Sequence, residues 1–223
     1  MPRTILVSEA DTPLGARLAD LFLARGARVV ATAARGPGGE QGPVRSGPDS
    51  RKLTVPWNRR SPMSARALLL DAANAFDSVD EAVIIEPPCV VSAGLHEIPS
   101  TDIERAFDDA KGPLFLAREI LASFLVQGSG VLCMVSLGPA SGPMENGVRE
   151  SFRGVCSALF TAPGLKGITV NGFQAASVDV EEYAAFIDRT LEEKARKISG
   201  RWFVWQARGG LFQGVRPGAA RRG

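Results

Sequence analysis

Short apolar runs alternate along the chain with longer stretches whose apolar residues recur at helical spacing. The first run, at 5–7, is followed by a stretch with Leu14, Leu18 and Phe22 on one helical face, and a second run follows at 29–31. Continuous apolar runs bounded by turn residues are typical of buried strands, whereas spacings of three and four are typical of amphipathic helices. The pattern therefore predicts a βαβ unit at the start of the chain.

The same alternation continues to residue 206. Further apolar runs predict strands at 53–57, 82–85, 131–135, 167–171 and 201–206. The stretches between them predict helices at 61–76, 100–126, 148–161 and 179–198. Strands that alternate with helices form parallel sheets with right-handed crossovers. We therefore predict a single-domain α/β fold of the Rossmann type, a doubly wound parallel sheet of about seven strands with helices on both faces.

The alternating pattern predicts one domain over residues 1–212, because no linker divides it into two halves. Residues 36–52 are rich in Gly and Pro, and we expect a mobile surface loop there. Residues 213–223 combine Gly, Pro and Ala with arginines, and we expect a disordered tail.

The longest predicted helix, 100–126, is rich in apolar residues, and their spacing predicts which side of it faces the core. Spacing predicts that its inner side consists of Ile103, Phe107, Leu114, Ala117, Leu121 and either Phe124 or Leu125.

Charge and composition exclude several classes of function. The formal net charge is +2, and no basic face with interleaved aromatic residues is present, so no nucleic-acid partner is expected. No apolar run approaches the roughly 20 residues of a membrane span, so no membrane association is expected. The single His96 and the three widely spaced cysteines (Cys89, Cys133 and Cys156) give no metal-ligand spacing. We interpret the cysteines as buried, reduced thiols of a cytoplasmic protein.

Five features follow one another in an order that is similar to a known family. They are the first βαβ unit with Gly15, the segments 75–85 and 108–119 taken together, 128–137, 165–172 with its Val-Asn pair, and 199–210 with its Gly-Gly pair. Together they resemble the short-chain dehydrogenase/reductase family and cover most of the chain. The resemblance implies a nicotinamide-dependent oxidoreductase of Rossmann fold that transfers hydride.

The family's first turn, Thr-Gly-x-x-x-Gly-x-Gly, corresponds to residues 8–15. The resemblance assigns cofactor contacts to Ser8, Thr12, Leu14 and Gly15. Glu9 and Pro13 stand where the motif has its first two glycines. A carboxylate 5–6 Å from a phosphate costs about 3 kcal/mol at an effective dielectric near 20, and proline has no N–H to donate. The structural alternative for Gly15 is close packing of the helix on the strand.

Arg35 follows the second predicted strand, where a cation can meet the 2′-phosphate of NADP. If any dinucleotide binds, the resemblance therefore implies NADP(H); the alternative is that the chain binds no cofactor. A solvated loop arginine is the alternative interpretation of this residue.

The family's catalytic residues have only partial counterparts in this chain. The resemblance places the serine on Ser136, the tyrosine on Glu145, the lysine on Arg149 and the asparagine on Asp109. The only tyrosine, Tyr183, lies in the last predicted helix, and we interpret it as a helix-face aromatic. Ser136, Glu145 and Arg149 are expected to face one cleft at the carboxyl ends of the strands. The alternative for Glu145 and Arg149 is a surface ion pair.

Two functions are compatible with these residues. The first is a short-chain dehydrogenase/reductase-like protein with a degraded active site that acts by binding a small molecule or a partner. The second is an atypical NADP(H)-dependent carbonyl or alcohol oxidoreductase, in which Ser136 polarises the carbonyl and a water or Glu145 delivers the proton. The resemblance also implies a homodimer or homotetramer through helices 103–126 and 148–161, with Phe115, Leu116, Phe152, Val155 and Leu159 at the interface.

Overall fold

The computed structural model describes residues 2–34, 43–46, 51–89, 91, 93–175 and 179–206. Its strands are β1 (Thr4–Val7), β2 (Arg28–Ala34), β3 (Val44–Ser46), β4 (Lys52–Trp57), β5 (Glu81–Ile85), β6 (Gly130–Ser136), β7 (Ile168–Ala175) and β8 (Arg201–Trp205). Its α-helices are α1 (Pro13–Ala24), α2 (Pro62–Phe76), α3 (Ser100–Gln127), α4 (Pro143–Phe160) and α5 (Val180–Thr190). A 3₁₀ turn covers Leu95–Glu97, and a π-helical turn, Leu191–Ala195, continues α5.

All the described strands belong to one sheet, in the order β3-β4-β2-β1-β5-β6-β7-β8. Seven of them are parallel, as predicted, and only β3 is antiparallel to its neighbour β4. Strand β3 lies inside 36–52, so the prediction of a loop throughout that segment was wrong. Residues 213–223, and most of 36–52, lie outside the described residues.

Two hydrophobic clusters fill the space between the sheet and its helices. On one face α2, α3 and α4 bury residues such as Leu68, Phe124 and Phe152 against the strands. On the other face α1 and α5 bury Leu18 and Ile187. The central strand β5 is buried at every position, as its continuous apolar run predicts. The predicted doubly wound sheet with helices on both faces is therefore confirmed.

Helix α4 begins five residues before its predicted start at 148. Pro143 occupies the first turn of the helix, where its fixed φ is favourable and its missing N–H has no partner to lose. The predicted loop is consequently shorter, and Glu145 lies in the first helical turn, one turn before Arg149.

The predicted inner face of α3 was partly wrong. Ala117 and Phe124 are buried as predicted, but Phe107 and Leu114 are 44% and 37% exposed. The core is instead completed by other residues of the helix, Ala106, Leu116 and Ile120 among them. Apolar residues occur on more than one face of α3, so spacing alone did not identify the buried one.

Two of the residues predicted at an intersubunit interface are also core residues. Leu116 is fully buried and Phe152 is 5% exposed, so neither can reach a partner subunit, and this part of the prediction was wrong. The sequence could not separate the two sides of these helices because both sides are apolar.

Asn171, in the Val-Asn pair of β7, fixes the end of the sheet. Its Nδ2 donates to the backbone oxygens of Ala195 and Ile198 at 2.9 and 2.7 Å, and its Oδ1 accepts from the backbone N–H of Arg201 at 3.1 Å. The buried amide thereby joins the end of the π-helical turn to the start of β8, which explains why an asparagine suits this position.

Candidate functional site

The carboxyl ends of β1, β5, β6 and β7 meet along one edge of the sheet. Open parallel sheets bind their ligands at this edge, beside the point where the strand order reverses. In this chain the reversal lies between β1 and β5. The turn after β1 and the residues after β5 and β6 are therefore the places to look for a site.

The turn after β1 has the backbone shape of a glycine turn without the glycine. Glu9 has a φ of 53°, in the left-handed region that a non-glycine residue rarely adopts. Its N–H donates to Thr32 Oγ1 at 3.0 Å, and its carbonyl oxygen accepts from Thr12 Oγ1 at 2.7 Å. These bonds stabilise the left-handed conformation in a residue that carries a side chain.

Gly15 has a packing role in this turn. A Cβ atom at this position would collide with the backbone oxygen of Glu9 and lie 2.9 Å from the Cα of Ala10. Helix α1 therefore approaches the turn too closely for any side chain here. The geometry supports the structural interpretation of this glycine.

The Glu9 side chain forms an ion pair with Arg59. Arg59 Nε donates to Glu9 Oε1 at 2.7 Å, and a second guanidinium nitrogen donates to Oε2. Glu9 is 1% exposed, so burial raises the pKa of its carboxyl, and the bonds from Arg59 act in the opposite direction. No sequence pattern indicated this pair, because Arg59 is one of several arginines in turns.

The N–H groups expected to hold a dinucleotide phosphate are mostly absent or occupied. Pro13 has no N–H, and the N–H of Gly15 donates to Thr12 Oγ1 at 3.3 Å.

Ser8 Oγ accepts from the backbone N–H of Ile85 at 2.8 Å. Leu14 is a buried core residue, and Arg35 lies outside the described residues. The residues of this turn do not fit the pyrophosphate of a nicotinamide cofactor.

Ser136, at the end of β6, is bound to a carboxylate that the sequence did not single out. Its hydroxyl donates to Glu86 Oε2 at 2.7 Å, and the backbone N–H of Leu137 donates to the same oxygen at 3.3 Å. Glu86 is 3% exposed, and burial raises the pKa of its carboxyl. One signal could have identified it: Glu86 directly follows an apolar strand, at the ligand-binding edge of the sheet.

Arg149 joins Glu86 to Glu145. Its Nε donates to Glu86 Oε1 and a terminal nitrogen donates to Glu145 Oε1, both at 2.8 Å, and the third nitrogen donates to the backbone oxygen of Gly138. Arg149 is 5% exposed. The structure thus brings Arg149 and Glu145 together, but the alternative of a surface ion pair was wrong, because α4 packs Arg149 into the sheet.

Glu145 is ionised in this arrangement. Burial pushes the pKa of its carboxyl upward, but hydrogen bonds from Ser141 and Arg149 outweigh that effect, so its pKa lies below the usual value. The Ser141 N–H lies 2.6 Å from Glu145 Oε2. A carboxylate held in the charged form is a poor proton donor near neutral pH.

Tyr183 reaches the same group of residues from the opposite face of the sheet. Its hydroxyl donates to the backbone oxygen of Ser136 at 3.0 Å, and burial raises the pKa of the phenol well above its usual value. Tyr183 lies on α5, as predicted, and its hydroxyl is engaged with the backbone of β6.

Asp109 is not brought to Ser136. It pairs with Arg60, whose Nε donates to Asp109 Oδ1 at 2.8 Å. Asp109 lines a separate cavity of about 200 Å³, together with Cys89, Arg105 and Val148 among others. The predicted set of four catalytic positions is therefore divided between two places on the molecule.

A second cavity, of about 260 Å³, lies at the ends of β6, β7 and β8 against α4. Its polar lining consists of Ser136, Asn146, Arg149, Glu150, Arg153 and Gln174. Arg153 pairs with Glu150 at 2.9 Å, donates to Gln174 and lies 5.5 Å from the ring centroid of Trp202. We call this cavity the cleft; Ser136 and Arg149 form part of its wall.

Three further features of the described residues bear on function. Within them no group of three or more His, Cys, Asp or Glu side chains could hold a metal ion. No helix among them is long and apolar enough to span a membrane. The three cysteines are free thiols; Cys133 and Cys156 are buried, as predicted, whereas Cys89 is only half-buried.

Comparisons with known proteins identify the fold. No protein-family model matches the chain, and no curated protein matches it. Among solved structures, it is similar to a 3-ketoacyl-(acyl-carrier-protein) reductase from Brucella melitensis complexed with NADH, with a TM-score of 0.78. It is also similar to a double mutant of a short-chain dehydrogenase/reductase from Serratia marcescens, with a TM-score of 0.75. Each is 16% identical and covers 92% of this chain and 96% of its own. The chain has the fold of the short-chain dehydrogenases/reductases, as the sequence resemblance predicts.

Proposed function

We propose that this chain is a short-chain dehydrogenase/reductase-like protein that binds a small molecule or a partner and does not transfer hydride efficiently. One observation carries the proposal: Arg149, at the position that the resemblance assigns to the catalytic lysine, is buried and bound by both Glu86 and Glu145. A guanidinium engaged in this way is a structural element of the protein and is not available to a substrate or cofactor.

The groups around Arg149 support the same proposal. Carbonyl reduction needs a proton donor beside the substrate oxygen, and the position of the family's tyrosine is occupied by Glu145, an ionised carboxylate. The Ser136 hydroxyl proton is directed at Glu86 Oε2, so it cannot polarise a carbonyl without breaking that bond. Glu86 therefore engages Ser136, the one residue of the family's catalytic set whose type this chain retains.

The cleft is the proposed binding site. Its volume of about 260 Å³ is just below the usual range for small-molecule sites, which begins near 300 Å³. Its side chains supply donors from Asn146, Arg153 and Gln174 and an acceptor from Glu150. We infer that its ligand is small and polar.

The second candidate function is a nicotinamide-dependent reductase. One structural neighbour is named a reductase and is complexed with NADH, and the other is named a short-chain dehydrogenase/reductase. In that case Ser136 would leave Glu86 and polarise the carbonyl, and Glu145 or a water would deliver the proton. Arg35 would favour NADP(H) over NAD(H) as the cofactor.

Titration of the purified protein with NADPH and NADH separates the two candidates. We expect no calorimetric binding of either cofactor below the millimolar range, and no oxidation of NADPH in the presence of a panel of ketones and aldehydes. Micromolar binding of NADPH, with turnover that Ser136→Ala abolishes, would replace the first candidate by the second.

We also propose that the chain assembles into a homodimer or homotetramer through α3 and α4. The support is the outer side of α3, where Phe107, Leu114 and Leu125 are between 37% and 49% exposed and lie at helical spacing. On α4, Val155 and Leu159, which were predicted at the interface, are half-buried and can still contribute to it.

A further inference from the structure

We propose that the first turn of this protein carries its own anion. The Glu9 carboxylate, held by Arg59, takes the role that a ligand's phosphate has in this fold, and it closes the turn to nucleoside diphosphates. Arg59 could bind the phosphate of a ligand, but the Glu9 carboxylate already occupies its guanidinium. This inference concerns the turn after β1 and is independent of the arrangement around Arg149.

Arg59 reaches the turn from a distant part of the sequence. It follows β4, which pairs with β2, which in turn pairs with β1. Its guanidinium binds Glu9 through two parallel hydrogen bonds, the geometry in which arginine recognises carboxylates and phosphates alike. The Arg59 side chain is 18% exposed and that of Glu9 is 1% exposed, so the pair is largely withdrawn from solvent.

The backbone of Arg59 is fixed by α3. A Cβ atom at Gly112 would lie 2.6 Å from Arg59 Cβ and 2.9 Å from its Cα, so the helix packs directly on this residue. The next residue, Arg60, pairs with Asp109 on the same helix at 2.8 Å. The turn after β4 is thus tied to α3 on one side and to Glu9 on the other, and Arg59 is held in place as a receptor.

The guanidinium groups beside the turn already have carboxylate partners. Arg59 pairs with Glu9, and Arg60 pairs with Asp109. A pyrophosphate would have to displace the Glu9 carboxylate from Arg59 or bind beside it against its charge. Removal of the Glu9 carboxylate would release the Arg59 guanidinium.

The test uses Glu9→Gly, since glycine adopts the left-handed φ of this position without strain, and Glu9→Gln, which keeps the side-chain length and removes the charge. Binding of ADP-ribose and of inorganic pyrophosphate is measured by calorimetry at constant ionic strength, with circular dichroism as the check on folding. We expect ADP-ribose to bind both variants at least tenfold more tightly than the unaltered protein; about a hundredfold corresponds to the removed repulsion. Glu9→Gly/Arg59→Met should return to the affinity of the unaltered protein.

Three outcomes would overturn the inference. They are micromolar binding of ADP-ribose to the unaltered protein, a folded Glu9→Gln variant with no gain in affinity, and a gain that persists without Arg59. Binding of pyrophosphate but not of ADP-ribose would assign the receptor to free phosphates. None of these results depends on hydride transfer, so the failure of this inference and that of the proposed function can be told apart.

Discussion

Arg149 and Glu86 form an ion pair between α4 and the carboxyl end of β5, with 2.8 Å between Nε and Oε1 and side-chain exposures of 6% and 3%. Two charges so deeply buried are stable only as a pair, because each alone would lack the solvation that it lost on folding. The same pair lies at the edge of the sheet where the sequence resemblance predicts catalytic groups.

Arg149→Met should therefore be strongly destabilising. It leaves the Glu86 carboxylate buried without a cation, and we expect the free energy of unfolding to fall by about 3–5 kcal/mol in urea denaturation. Glu150→Gln is the control, since it breaks the more exposed pair with Arg153 and should cost less than about 1 kcal/mol. Equal losses in the two variants would contradict the assignment of Glu86 and Arg149 as a buried, coupled pair.

Glu145→Gln should have an effect on stability that depends on pH. The pKa of Glu145 is lower in the folded protein than its ordinary value of 4.5, so its ionised form stabilises the fold above that pH and this contribution is lost as pH falls through the folded-state pKa. The difference between the unaltered protein and the variant should be full at pH 7 and shrink below about 4.5. Unfolding by urea at a series of pH values measures it.

Glu86→Gln provides the matched comparison for that series. Burial raises the pKa of Glu86, so its contribution to stability is fully present below 4.5 and is lost as pH rises through the folded-state pKa. The difference between the unaltered protein and this variant should grow as pH falls. If the two differences in stability changed with pH in the same direction, the pKa shifts of Glu86 and Glu145 would not be opposite, contrary to the description above.

Gly15→Ala tests the close approach of α1 to the turn after β1. The added methyl group would collide with the backbone oxygen of Glu9, and we expect a loss of about 3 kcal/mol in the free energy of unfolding. Gly147→Ala, in α4, is the control: no atom lies within 4 Å of the added Cβ, so this substitution should stabilise the helix by about 0.5–1 kcal/mol. A neutral Gly15→Ala would mean that helix and turn are farther apart than described.

Ser136→Ala distinguishes a structural serine from a catalytic one. The substitution removes a hydrogen bond to the buried Glu86 carboxylate and should lower the free energy of unfolding by about 1.5–3 kcal/mol. Ser151→Ala, which removes an exposed hydroxyl bonded to a helical carbonyl, should cost less than about 0.5 kcal/mol. A stable Ser136→Ala variant would show that Glu86 does not depend on this hydroxyl.

Leu114→Glu tests assembly through α3. A charge placed in the middle of the exposed apolar stripe should convert a homo-oligomer into a monomer, as measured by light scattering at micromolar concentration. Leu70→Glu is the control, because Leu70 is 58% exposed on α2, outside the proposed interface, and the oligomer should persist. An unaltered protein that is monomeric under these conditions would contradict the proposal directly.

Local patterns were sufficient to predict most of the elements of this protein. The apolar runs identified every parallel strand, and the helical spacing of Leu14, Leu18 and Phe22 identified the buried face of α1. Prediction failed where a local pattern admitted two solutions. Helix α3 has apolar residues on more than one face, and only packing decided that Leu116 is buried while Leu114 is exposed. The short β3 was missed because its pairing with β4, not its composition, makes it a strand.

The sequence by itself therefore determined the fold and the edge of the sheet where a site is expected. Both follow from hydrophobic periodicity and the order of elements, which depend only on residues close together in the chain. Tertiary structure alone decided which charged side chains meet near that edge. Glu86 and Arg149 are 63 residues apart in the chain, and Glu9 and Arg59 are 50 apart. No local pattern pairs them. The sheet brings their elements together, and burial then requires that each charge be paired, which converts the expected catalytic and phosphate-binding positions into internal ion pairs.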